Sequence, residues 1–190
     1  MKASVILFCS LCILLAATSM QAGEVVLYGG SQKPGNLTFD ALSHVPGDLL
    51  KGDWGSTFGA RFSSGRVIGL EQNFSFSPEF AVSGVYAFQT DTNLLLQAPG
   101  SFAPYVTAGL GYLYTWGEDT YPEDLDPGKI AAYAFNIGSA FSLNYGGGIK
   151  LRRMMGPMGF NFDIRGYTVP SARDGALNFV QMSGGLVFTW

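Results

Sequence analysis

The sequence predicts an all-β chain, an eight-stranded antiparallel transmembrane up-and-down β-barrel, and three observations predict it. Eight stretches alternate apolar with polar or small side chains, the period-two signature of strands with unlike faces. The connections between those stretches alternate long and short. Charged residues make up 13% of the chain and aromatics 14%, with 26 glycines, a β-rich profile. No stretch beyond the N-terminus approaches the roughly 20 apolar residues of a membrane-crossing helix. Such a chain can enter a bilayer only as a closed barrel, because lipid offers no partner to unpaired backbone groups.

Residues 1–22 read as a secretory signal to be removed, leaving 23–190 as the barrel. Lys2 supplies the charge, Val5–Ala17 the apolar run, and small residues follow. Cleavage after Ala22 leaves Met20 where a small residue is preferred, and cleavage after Ser19, with Ala17, fits that rule better, so the exact site is open. Both cysteines, Cys9 and Cys12, fall inside this leader. The mature chain therefore has no disulfide, thiolate metal site or cysteine nucleophile. A net charge of −3 gives no support for nucleic-acid binding.

The first strand is expected over about Glu24–Gln32. The second, Ser56–Ser63, sets Phe58, Ala60 and Phe62 against Thr57, Gly59 and Arg61. The third, Val67–Phe76, sets Ile68, Leu70, Phe74 and Phe76 against Gly69, Glu71, Asn73 and Ser75, with Gln72 discordant on the apolar face. The fourth lies within Tyr86–Gln97, where Thr90 and Thr92 interrupt Phe88, Leu94 and Leu96. In the fifth, Pro104–Trp116, Val106 to Trp116 oppose Tyr105, Thr107, Gly109 and Gly111. The sixth, Phe141–Leu151, opposes Leu143, Tyr145, Ile149 and Leu151 to Asn144, Gly146, Gly148 and Lys150. The seventh, Gly159–Thr168, opposes Phe160, Phe162 and Ile164 to Asn161, Asp163, Arg165 and Tyr167. The eighth, Phe179–Trp190, carries Val180, Met182, Leu186, Phe188 and Trp190 on one face. The connections at 33–54, 77–85, 117–138 and 169–177 are long; those at Ser64–Arg66, Ala98–Ala103 and Arg152–Met158 are short. Membrane barrels show this asymmetry between external loops and periplasmic turns.

Alternation alone does not say which face is inside, since a soluble barrel has the same period with inverted polarity. Charge decides. Arg61, Glu71, Lys150, Asp163 and Arg165 all lie on the glycine-rich faces, and a basic residue facing mid-bilayer lipid would cost about 2–4 kcal/mol. These five are expected to form one charge network in the lumen, with Lys150 near Asp163. Tyr112, Tyr114, Trp116, Phe188 and Trp190 cap the apolar faces and suit an aromatic girdle at the membrane interfaces.

Four phrases carry a family resemblance: Pro104-Tyr105-Val106-x-Ala108-Gly109-Leu110-Gly111, Asn144-Tyr145-Gly146-Gly147-Gly148-Ile149-Lys150, Asp163-x-Arg165-Gly166-Tyr167 and the terminal stretch. Over nearly the whole mature chain the sequence resembles the bacterial eight-stranded outer-membrane β-barrels, of the outer-membrane-protein-A-like and opacity-protein-like kind. The resemblance implies an outer-membrane location and contact with outer-membrane lipid and lipopolysaccharide. Ser183-x-Gly185-x-x-Phe188-x-Trp190 resembles the C-terminal signal read by the barrel-assembly machinery, although Trp190 stands where the family usually has Phe.

Little in the chain points to a reaction. The single histidine, His44, sits in the first long loop, and no Ser-x-His pairing or Gly-x-Ser-x-Gly elbow accompanies it. Glu118, Asp119, Glu123, Asp124 and Asp126 fit a solvated loop and match no calcium-loop spacing. Gly146-Gly147-Gly148 lies mid-strand, with no following helix to cradle a phosphate. The expectation is a non-enzymatic barrel without cofactor or metal, its lumen plugged by charge. Its role would be structural, or a surface interaction with an extracellular ligand through the loops. The alternatives are a small pore and a secreted soluble lipid-binding barrel.

Overall fold

The computed structural model describes residues 23–35, 38–39, 53–117, 127–172 and 175–190. The leader at 1–22, His44 and the acidic side chains of 118–126 lie outside the described residues. The strands are β1 Gly23–Pro34, β2 Gly55–Ser64, β3 Ile68–Ser77, β4 Tyr86–Gln97 and β5 Phe102–Trp116. After helix α1, Pro127–Phe135, come β6 Ser139–Met155, β7 Met158–Ala172 and β8 Gly175–Thr189. Each strand pairs antiparallel with the next, and β1 pairs with β8 from Glu24↔Thr189 to Pro34↔Phe179, so the sheet closes into a barrel. A two-residue ladder, Thr38–Phe39 on Ala176 and Gly175, extends that closing seam. Closure leaves no strand edge unpaired.

The short connections gather at one end of the barrel, the turn end. Gly65, Gly100 and Gly156 bend the chain there with φ of 99°, 108° and 66°. The long connections leave from the other, the loop end. β6 and β7 run further than the alternation predicts. Arg152 extends the inward row of Lys150, and Met155 pairs with Met158 across a tight turn.

Side chains sort by parity. Leu27, Phe58, Leu94, Val106, Leu110, Phe162 and Ile164 face outward and are each more than half exposed. Apolar area of this extent over a whole barrel exterior marks a surface that lipid or partner covers. Near the loop end, the Trp116 ring lies 5.7 Å from Tyr86, 5.5 Å from Tyr114 and 6.1 Å from Phe76. Trp190, Phe102 and Ile68 are exposed at the turn end.

The discordant positions have a local explanation. Gln72 is opposite Thr92, and Thr90 is opposite Phe74, all facing out between β3 and β4. Gln72 Nε2 donates to Thr90 Oγ1 at 2.9 Å, and Thr92 Oγ1 donates to Gln72 Oε1 at 2.7 Å. Gln72 and Thr90 are buried, so the polar atoms satisfy one another beneath their aromatic neighbours.

The third long connection is not wholly a solvated loop, which corrects the expectation for 117–138. Its second half is α1, whose Ile130, Ala131, Ala132, Ala134 and Phe135 are buried. Ala132, Ala134 and Phe135 pack with Phe80, Val85, Leu113, Ala140, Tyr167, Val169, Leu177 and Phe179 in one apolar cluster. That cluster fills the loop end of the lumen. Tyr167 and Phe179 stack with centroids 4.7 Å apart, and Phe80 meets Phe179 edge-on at 5.4 Å.

Candidate functional site

The chemistry of this chain is concentrated in its lumen. Inward glycines make the room. A Cβ at Gly59 would stand 2.5 Å from the Tyr28 ring, and one at Gly111 would stand 2.0 Å from Asp91 Oδ1. Gly148 and Gly185 accommodate Tyr105 and Tyr28 in the same way.

At mid-height, Arg61, Glu71, Asp163 and Arg165 are all at least 97% buried and form a quartet. Arg165 grips Glu71 through two nitrogens, Nη1 to Oε1 at 2.7 Å and Nη2 to Oε2 at 3.2 Å, and places Nε 2.8 Å from Asp163 Oδ1. The planar guanidinium suits this paired geometry. Arg61 reaches Asp163 at 3.1 Å and also donates to Asn161 and Ser183. Its guanidinium carbon lies 4.0 Å from the Tyr28 ring centroid, within cation–π range. Tyr105 OH donates to Asp163 and Asn93 to Glu71, so the carboxylates also have neutral partners. Two positive and two negative charges balance within the quartet.

Lys150 is not part of it. The register sets Lys150 opposite Asn161, whereas Asp163 is opposite Gly148, one inward position nearer mid-height. Lys150 Nζ stands 5.1 Å from the ring centroid of Tyr105, whose hydroxyl binds Asp163. It turns instead to Glu24 Oε2 at 2.7 Å, with Ser63 and Gln97 at 3.2 and 3.3 Å. Arg152 joins from the next inward position, paired with Glu24 and donating to Gln97, Ala98 and Gly100. The lumen charges thus fall into two clusters. Beneath the lower one, a mouth of about 460 Å³ is lined by Glu24, Arg66, Arg152 and Arg153 at the turn end.

Three buried charges escaped the sequence reading: Glu24, Asp91 and Arg152. Each had a signal. Arg152 has the parity of Lys150, and Asp91 belongs to the row Gln89, Asp91, Asn93, Gln97 on the inner face of β4. Glu24 begins an inward row that continues with Val26 and Tyr28, so its face does not look polar.

The remaining positions lie elsewhere. Ser183 is a lumen residue bound to Arg61, and inward Gly185 lies against Tyr28. Phe188 is partly buried and Trp190 exposed, both at the turn end of β8. Tyr114 and Trp116 join the aromatic cluster near the loop end, while Tyr112 sits opposite Thr90, closer to mid-height. Among the described residues, no three His, Cys, Asp or Glu side chains are grouped to hold a metal. On the outer surface near the loop end, a groove of about 740 Å³ runs over Tyr145, Gly166, Val180 and Met182, edged by Lys33 and Trp54. Lys33 Nζ stands 5.8 Å from the Trp54 ring centroid.

No protein-family model matches this chain, and no curated protein does. Among solved structures it is similar to Neisserial surface protein A, with 9% identity and a TM-score of 0.62 over 88% of this chain and 97% of that one. It is also similar to the N-terminal β-barrel domain of Pseudomonas aeruginosa OprF, with 12% identity and a TM-score of 0.51 over 87% and 96%. A third is Ail, the attachment invasion locus protein of Yersinia pestis, at 16% identity and a TM-score of 0.48 over 87% and 99%. At these identities the likeness is one of fold.

Proposed function

We propose that this protein is an integral outer-membrane barrel with a closed lumen, acting through its external surface or as a structural component and catalysing no reaction. The observation that carries the reading is the inversion of a soluble fold: an apolar exterior around a polar, ion-paired interior. Burying that exterior in water-free lipid costs nothing, whereas the charges of the quartet need the partners they have. The loop end, beside which Lys33 and Trp54 offer a cation and an amphipathic ring, would face outer-leaflet lipid and lipopolysaccharide. One similar fold, from Neisseria, is named a surface protein, in keeping with a surface role. The fold by itself neither requires nor forbids catalysis. The leader would deliver the chain for export, and β8 would present Phe188 and Trp190 to the assembly machinery.

The test is membrane fractionation combined with gel migration before and after boiling. Recovery in the outer-membrane fraction, with faster migration of the unboiled form, is the expected result. Recovery in the soluble fraction, with migration unchanged by boiling, contradicts it. The pore alternative is separated by planar-bilayer recording. The quartet and the apolar cluster above it predict no discrete ohmic steps.

A further inference from the structure

Between the ion quartet and the apolar plug lies a tier of lumen side chains whose polar atoms neither accounts for, Tyr167 giving its ring to the plug and its hydroxyl to the tier. Asp91, Tyr167 and Gln181 each stand one inward position nearer the loop end than Asn93, Arg165 and Ser183, which bind or belong to the quartet. On β6, Ser142 and Asn144 stand above Gly146, which lies against the Arg165 side chain. One step higher, Ala140, Val169 and Phe179 belong to the plug.

The tier is rich in oxygen, and its only unengaged donors are the hydroxyls of Ser142 and Tyr167 among the described residues. Asp91 is 1% exposed and accepts from Asn73 Nδ2 at 2.8 Å and Gln89 Nε2 at 3.0 Å, with no cationic side chain bridged to it among the described residues. Ser142 Oγ, Asn144 Oδ1, Tyr167 OH and Gln181 Oε1 are buried and have no hydrogen-bond partner among the described residues. Two of these are amide carbonyls that can only accept. The amide nitrogens of the same side chains are engaged, with Asn93 at 2.8 Å and Thr57 at 3.4 Å. Asp91 Oδ1 and Ser142 Oγ both lie against Gly111, whose missing side chain leaves them side by side: a Cβ there would be 2.0 Å from the first and 2.7 Å from the second. Asn144 and Tyr167 are direct cross-strand neighbours. The quartet is neutral, and the excess positive charge of Lys150 and Arg152 over Glu24 sits below it, so Asp91 leaves this tier with a local charge of −1.

We infer that this tier is a binding site for one monovalent alkali cation, with the Asp91 carboxylate and Ser142 Oγ as its core and the oxygens of Asn144, Tyr167 and Gln181 completing the shell. Hard oxygen donors around a single carboxylate suit a singly charged ion; calcium and magnesium sites draw on more anionic ligands. The cation supplies the charge that Asp91 lacks and the electrophile that the accepting oxygens require.

Two measurements on the purified, refolded barrel in zwitterionic detergent test this. Thermal unfolding is followed at matched ionic strength in sodium, potassium and N-methylglucamine chlorides. A bound ion raises the midpoint by mass action, by about 2–4 °C in one alkali salt over the organic cation for a chain of this size. The rise is lost in Asp91→Asn and reduced in Ser142→Ala. Crystals grown in rubidium or thallium salts, which need no variant, should show an anomalous peak beside Asp91. Equal midpoints in the three salts, or a rise retained in Asp91→Asn, overturns the assignment. So does a map with only water beside Asp91.

Discussion

Arg165 is the residue on which the lumen turns. Four hydrogen bonds from its guanidinium serve two carboxylates, Glu71 of β3 across the barrel and Asp163 two residues back on its own strand β7. Removing one member leaves the others charged and buried, a loss of about 3–5 kcal/mol for a broken buried pair. Glu71→Ala should therefore lower the unfolding temperature in detergent substantially, and Glu71→Gln by less, because Asn93 still finds an acceptor. Circular dichroism melts of both variants check this; unchanged melting would remove the quartet from any role in stability. Parity alone made Arg61, Glu71, Asp163 and Arg165 legible as inward charges, since each shares its strand with outward aromatics or aliphatics. Who pairs with whom was not legible. Partner choice depends on register and on Glu24, whose inward row reads as apolar, and so Lys150 was expected beside the wrong carboxylate.

Among the elements, the strands announced themselves and the helix did not. Eight periods of two survive even at β4, where Gln89, Asp91, Asn93 and Gln97 mark the inner face despite Thr90 and Thr92 outside. The nine residues of α1 are too few to be stable alone. It forms because the mouth of the barrel buries it, a tertiary cause that no local pattern records. Phe135 is fully buried in that cluster. Phe135→Ala should cost about 3–5 kcal/mol yet leave a planar bilayer electrically silent, because the quartet still closes the lumen below. Discrete conductance from this variant would show that α1 alone is the seal. At the other end, β8 must close against β1 with every backbone group paired. Phe188→Asp sets a charge among its outward residues and should leave unfolded chain in the periplasm. Normal outer-membrane levels of that variant would deny the strand its proposed assembly role.

At the scale of the whole molecule, the lumen is stacked: an ion cluster at the turn end, a balanced quartet, an oxygen-lined tier and an apolar plug at the loop end. The exterior is apolar from Trp190 at one rim to Trp116 at the other. Composition and loop lengths made this inside-out arrangement legible, because sparse mid-strand charge confined to one parity has no other inexpensive resting place. The central claim is that this exterior faces lipid. Nitroxide labels at Leu94, Leu110 and Phe162, on the barrel reconstituted into phospholipid bilayers, test it most directly. A lipid-facing exterior predicts relaxation by oxygen, which partitions into lipid, and protection from a water-soluble nickel chelate at all three positions. Labels relaxed by the chelate as strongly as one on the exposed turn at Gly100 would contradict it.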